Sequence, residues 1–263
     1  MSYVQLFKRY AVLKAKLLVE YRLSFLMGLT SSIAWLIMSF LFWGVVYGYT
    51  TDINGWTFGQ IMMLQGFFHL AVSIYWFLFH YSEHMDDIIV HGDLDKLLSK
   101  PVNPLIAYMF ERMDLFAAMD MISALGYFWV ASNLGVSVPL LYFAGSLAMI
   151  LLGCVILTLM FTVMGSLSFW IGRTESMINV WNSIWEVGGY PATIFSPRVQ
   201  LALTFGLPII FMQTYPTMMA LGQMTLASFA QIIAIELALI GVWFVIAVIV
   251  WRKGLKRYGS YGG

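Results

Sequence analysis

Charge is what this chain has least of. Lys, Arg, Asp and Glu make up 10% of its 263 residues, against 61% hydrophobic residues and a mean hydropathy of +0.83. A soluble domain carries about 25% charged and roughly 45–50% apolar residues, so the shortage excludes a soluble fold and leaves a membrane domain with no appended soluble one. Cysteine is nearly absent too. The single Cys154 lies in an apolar run, which rules out an internal disulfide and suits a small packing residue. Nucleotide machinery is missing: there is no GxxxxGK[ST] phosphate loop and no GxGxxG turn after a strand. HExxH, paired CxxC and GxSxG are missing as well, which argues against an enzyme. The leader layout of a cleaved signal peptide is also lacking, because residues 2–21 are polar and basic before the first long apolar run. The first span is expected to persist in the mature protein. No internal repeat is apparent, and no nucleic-acid partner is expected.

What the chain does have is long apolar runs. Crossing the hydrocarbon layer takes about 20 apolar residues per helix, which leaves room for about six spans. Residues 1–22 mix Lys8, Arg9, Lys14, Lys16 and Arg22 with Leu6, Phe7, Leu13, Leu17 and Leu18, an amphipathic pattern too charged to cross and predicted to lie in the interface. Spans are predicted at 23–49, 58–81, 105–134, 138–171, 177–195 and 226–251. In the first, Gly44 and Gly48 form a small-xxx-small pair that would admit another helix. The one substantial polar loop, 82–104, reads SEHMDDIIVHGDLDKLLSKPVNP, and the tail 252–263 carries Arg252, Lys253, Lys256 and Arg257.

The stretch 197–222 is apolar enough to cross but is broken by Gly206, Pro208, Gln213, Pro216 and Gly222. Parity decides how to read it. If it stays on one side, the chain ends, the polar loop and the 172–175 turn share a side that holds thirteen of the fourteen Lys and Arg residues, leaving only Arg198 opposite. That bias is what the positive-inside rule demands. The expected fold is therefore all-α and integral to the membrane: six transmembrane helices, an N-terminal interfacial helix and re-entrant helices before the last span. Both termini are expected on the cytoplasmic side of the inner (plasma) membrane. Backbone at 197–222 would be tolerated only where protein or a wet cavity satisfies it.

Ionisable residues supply the candidate sites. Asp120, Glu186 and Glu236 fall inside predicted spans with no basic residue there to pair them. At such depth an acid faces the bundle interior and either packs helices together or lines a substrate or proton path. They form no repeated relay, which weakens a proton-coupled secondary transporter or channel as the alternative reading. His80, His84 and His91 with Asp87 fall at helical offsets that could share one face, yet the balance is against a metal site, since such residues are ordinary content for a polar loop. His69 stands alone in the second span, where packing or interhelical hydrogen bonding is expected.

The run Gly92-Asp93-Leu94-Asp95-Lys96-Leu97-Leu98-Ser99-Lys100-Pro101 between the second and third spans, with Trp185-Glu186-Val187-Gly188-Gly189-Tyr190-Pro191 and then Pro208 and Tyr215-Pro216, resembles the ABC type-2 exporter permeases. The resemblance covers nearly the whole chain in order. It implies the membrane subunit of an ATP-driven exporter, paired with a second permease copy or related chain and resting on separate ATP-binding subunits that hold the ATP and Mg. This chain would then carry no cofactor. By position, 83–98 would be the coupling helix that docks on the ATPase, 4–19 a connecting helix beside it, and the 172–175 turn, with Arg173 and Glu175, a second contact. Ile88, Ile89, Leu94, Leu97 and Leu98 would be apolar anchors for a groove. Glu83, Asp86, Asp87, Asp93, Asp95, Lys96 and Lys100 would supply charge. Pro101 and Pro104 would stop the loop helix and aim the third span. A hydrophobic or amphipathic substrate is compatible with this composition, and a membrane scaffold without transport is the remaining rival.

Overall fold

The computed structural model describes residues 3–259 except 175, 178 and 180–184. Helix α1 (Tyr3–Glu20) leads through Tyr21 into α2 (Arg22–Tyr49). A two-residue turn with positive φ at Asn54 and Gly55, stapled by the Ile53–Trp56 bridge, reverses the chain, as an Asn-Gly pair does at low cost. Helix α3 (Phe58–Phe79) opens with a Thr57–Gln60 capping box that satisfies two orphan donors. It continues through a 3-10 turn (His80–His84) into α4 (Met85–Val90). Then come α5 (Leu94–Leu98), α6 (Pro104–Glu111), α7 (Ala118–Asn133), α8 (Leu140–Ser166) and the short α9 (Ser168–Ile171). Beyond them lie α10 (Pro197–Phe205), α11 (Thr214–Ala220) and α12 (Leu226–Arg257).

Five helical stretches among the described residues are long and apolar enough to cross a membrane: Arg22–Tyr49, Phe58–Val90, Leu115–Asn133, Leu140–Ile171 and Leu226–Arg257. The third is shorter than the sequence suggests. Helix α6 ends at Glu111, and the Asp114 carboxylate accepts the Phe116 N–H at 2.8 Å to start a new 3-10 turn at Leu115–Ala117. A local Asx contact thus competes with helix continuation. The detached α6 packs on α1 instead, with Phe7 and Phe110 edge to face at 5.6 Å.

Contacts along the seams give the helix directions. Gly28, Ser32 and Leu36 of α2 meet Met119, Ser123 and Gly126 of α7 in increasing order, so this pair is parallel. Against α3 the order inverts, Gly59 meeting Leu134, Gly66 meeting Phe128 and Ser73 meeting Ala117. Phe67, Ala71 and Tyr75 of α3 run alongside Phe143, Cys154 and Phe161 of α8. Phe229 and Gly254 of α12 meet Gly145 and Phe169. Helices α3, α8 and α12 therefore share one direction, and the chain between α9 and α12 must return to the far end of the bundle.

The described parts of that return can be followed. Thr174 sits at the α9 end, Trp185 against Tyr75, Gly188 against Phe68, Gly189 on the Gln65 amide, and Thr193 on the Trp56 indole at the opposite end. The chain then passes through α10 and brings Phe211 and Met212 to Gly153, about 20 Å along α8 at 1.5 Å per residue. It comes back along α8, Met219 beside Gly145 and Gly222 beside Tyr142.

The core is built around α3. Ile61, Met62, Leu64, Phe67 and Ala71 are fully buried with Tyr127, Ile150, Cys154, Leu157 and Phe211, while α2 exposes most of its apolar length. A β-carbon at Gly44 or Gly48 of α2 would meet nothing within 4 Å among the described residues. Gly66 is different: a β-carbon there would lie 2.4 Å from the Phe128 ring, which is itself wedged between Phe67 and Phe143. Gly66→Val is expected to lower stability by about 1–3 kcal/mol through overpacking, and Gly44→Val to leave it unchanged. Melting of the two variants in detergent checks this, and equal midpoints would refute the packing assignment.

Candidate functional site

The polar loop folds back on the end of the bundle as two short helices. Gly92, at φ 78°, breaks the predicted coupling helix of 83–98 into α4 and α5, since a left-handed residue cannot continue a helix. The proposed groove anchors point the other way. Ile88, Ile89, Leu94 and Leu97 are buried with Met85, Ala107 and Tyr108, sealed by Phe169, Trp251 and Leu255. They fasten the loop to the bundle, and only Leu98 of the five anchors is exposed, at 43%.

The acids also divide. Asp86 is buried, its carboxylate accepting the Thr174 N–H at 3.0 Å and the Asp87 N–H at 3.0 Å. It is an internal tie rather than a docking charge. Asp93 and Lys96 form an exposed ion pair at 2.6 Å, which holds the Asp93 carboxyl below its usual range and raises the Lys96 ammonium. Such a pair contributes little to stability and leaves both groups available. Glu83, Asp87 and Asp95 are half-buried. Lys100 reaches Glu111 at 3.4 Å.

The structure brings the two predicted contacts together. Arg173 lies against the loop, its guanidinium 3.2 Å from His91 Nε2, while Thr174 is buried on Asp86. Met85 packs on Gly165 so closely that a β-carbon there would come within 2.7 Å of the Met85 Cβ. Glu175 lies outside the described residues. The 172–174 turn is thus tied to α4 and His91, and α4 shares a buried cluster with α5; on this candidate face Asp93, Lys96 and Leu98 are exposed and Asp87 is half-buried. Tyr108 is a member that sequence reasoning missed: buried, it donates to the His84 carbonyl at 2.8 Å and anchors the loop. It was hidden within an apolar run assigned to the third span.

The three acids of the predicted spans are not gathered. Asp120 sits in the first turn of α7, accepting from the Ser32 hydroxyl of α2 at 3.2 Å, a position favoured by the helix dipole. Glu236 is fully buried in α12, in the seam with α8, and neither carboxyl oxygen has a hydrogen-bond partner among the described residues. Glu186 opens a 3-10 turn, Glu186–Gly189; its side chain lies outside what is described. His69 stacks on Tyr127 at 5.0 Å. Among the described residues, no three His, Cys, Asp or Glu side chains converge to hold a metal ion.

The family model described as "ABC-2 family transporter protein" matches residues 33–262. The chain belongs to that family. The match takes in the loop, the 172–174 turn, the broken stretch and α12, so this ABC-2 protein carries its candidate face within the family domain. No curated protein matches it. ABC-2 membrane domains are typically permeases lacking ATPase activity, and the family implies association with an ATP-binding subunit. This ABC-2 transporter protein is a multi-pass membrane protein.

Proposed function

We propose that the chain is the membrane-spanning permease of an ATP-driven exporter, and that the face formed by 83–98 and 172–175 seats a separate ATP-binding subunit carrying the ATP and Mg. The observation that carries this reading is the Asp86–Thr174 tie. It joins two segments 88 residues apart into one body directly continuous with α3, so a push on the loop is delivered to the most buried helix of the bundle. Flexible connections would dissipate that push. The exposed Asp93, Lys96 and Leu98, with the half-buried Asp87, form the docking patch, and α1 lies beside the site as a connecting helix against α6.

The chain crosses the inner membrane six times, with the return between α9 and α12 as the fifth crossing, 197–222 as a re-entrant pair, and both ends in the cytoplasm. A second permease copy or a related chain completes the path, which alternates between inward and outward access and moves a hydrophobic or amphipathic substrate outward. Asp120, Glu186 and Glu236 line or brace that path. Asp120 and Glu236 lie in different seams, which disfavours a proton relay as the energy source.

Co-expression with a phosphate-loop protein, if one is encoded in a neighbouring reading frame, tests the docking face. A stable complex is expected from the wild-type chain. Leu98→Asp should weaken it by about 2 kcal/mol or more, roughly thirtyfold, as truncation of a central interface residue does, and Lys96→Glu should weaken it further. If both variants co-purify like wild type, the docking face lies elsewhere.

A further inference from the structure

The turn between α3 and α4 holds two histidines, His80 and His84. His80 Nε2 and His84 Nε2 lie 3.1 Å apart, with ring centroids at 4.6 Å and planes at 76°. Two imidazole nitrogens bound cis to one ion, with metal–nitrogen bonds of about 2.0–2.1 Å, stand roughly 2.9–3.4 Å apart, and their rings roughly 4.5–5.2 Å. Both distances fall in those windows. We propose that His80 and His84 form a binding site for a borderline divalent transition-metal ion, Zn2+, Cu2+ or Ni2+, with water completing the shell.

Asp87 Oδ2 stands 3.7 Å from His84 Nδ1, beyond hydrogen-bond distance in this structure but on the side from which a carboxylate that closes in favours the Nδ1–H tautomer and leaves the Nε2 lone pair free for an ion. The His84 backbone is pinned by the Tyr108 hydroxyl at 2.8 Å, so the site is held before anything binds. Without an ion, the 3.1 Å contact accommodates one shared proton, and His80 Nδ1 is left buried with no partner among the described residues. With an ion, both Nε2 atoms offer lone pairs and the His80 proton moves to Nδ1. The His84 side chain is 37% exposed, which opens the site to water and to the ion. Imidazole nitrogens select this metal class over Mg2+ or Ca2+, which take oxygen ligands.

The site lies between α3 and the loop, so an ion there would stiffen the joint through which the loop moves α3. The test uses the untagged full-length chain in detergent at pH 7.5. One equivalent of Cu2+ per chain is expected, with an electron paramagnetic resonance spectrum split by two imidazole nitrogens, and one equivalent of Zn2+ by calorimetry. His80→Gln and His84→Gln should each abolish the two-nitrogen spectrum, and His91→Ala should preserve it. Asp87→Asn should weaken Zn2+ binding about tenfold. Failure of the wild-type chain to bind stoichiometrically, a one-nitrogen spectrum, or loss of the signal in His91→Ala would each overturn the site. Unchanged Zn2+ affinity in Asp87→Asn would overturn the orienting role of that carboxylate. Melting of the metal-free variants distinguishes a lost ligand from a lost fold, and the wild-type and His91→Ala results decide the case if the glutamine variants do not fold.

Discussion

Asp86→Ala is expected to lower the stability of the chain by about 2–4 kcal/mol. The carboxylate accepts two backbone N–H groups, and a hydrogen bond to a charged acceptor contributes about 1.5–3 kcal/mol, while a buried N–H left without a partner costs about 1–3 kcal/mol. The two donors respond differently. Asp87 is half-exposed and its N–H can turn to water, but Thr174 is 1% exposed and cannot. Most of the loss therefore falls on the joint between the loop and the 172–174 turn. Asp86→Asn, which keeps one acceptor oxygen, should sit between alanine and wild type. Thermal melting in detergent reads the stability, and protease cleavage after Arg173 reads the joint directly, faster in the alanine variant. In the assembled complex, the variant should still bind its ATP-binding subunit through Lys96 and Leu98 while losing substrate-stimulated hydrolysis. An alanine variant that melts and resists protease like wild type would remove the tie from the account of coupling.

How much of this was legible in the sequence depends on the range of the interaction. The membrane class and the long apolar stretches are written in composition, because crossing hydrocarbon needs some twenty consecutive apolar residues and little else. The Asn54-Gly55 turn, the Pro104 helix start and the Thr57–Gln60 cap are local chemistry, and Pro104 starts a helix where the sequence has it aim the third span. The break at 112–117 is local as well, but Asp114 acts by capping a new turn in a run whose hydropathy hardly falls, so a hydropathy reading passes over it. The direction of the loop was not legible at all. Ile88, Ile89, Leu94 and Leu97 have the amphipathic spacing of groove anchors, and the same spacing serves to hold a loop against its own bundle; only Phe169 and Trp251, far along the chain, decide between the two. Asp86 reads as a surface charge in the sequence because its distant partner is the backbone N–H of Thr174, which no residue identity advertises. The seam position of Glu236 is equally a property of the register between α8 and α12.

Cysteine labelling from the two sides of the membrane is expected to give a nearly all-or-none result. The native background is silent, since the only cysteine, Cys154, is fully buried. Asp52, Gln223, Lys96 and Lys253 are exposed or half-buried positions on the connections and the tail. With six crossings, Asp52→Cys and Gln223→Cys react with an impermeant maleimide on intact cells, and Lys96→Cys and Lys253→Cys react only after permeabilisation. If 197–222 crossed, or if the return between α9 and α12 did not, the last helix would run the other way. Gln223→Cys would then be protected and Lys253→Cys labelled from outside. The seams argue for the first pattern. Helix α12 runs in the direction of α8 and α9, from Gly145–Phe229 to Phe169–Gly254, so the chain between α9 and α12 returns along the bundle. The contacts from Thr174 through Trp185 and Gly188 to Thr193 lie along α3 in the opposite sense. The broken stretch touches Gly153 through Phe211 and Met212, and Tyr142 through Gly222. External labelling of Lys253→Cys would contradict both the parity drawn from Lys and Arg and the parallel seam, and with them the placement of the loop and the tail on the side where a soluble ATPase resides.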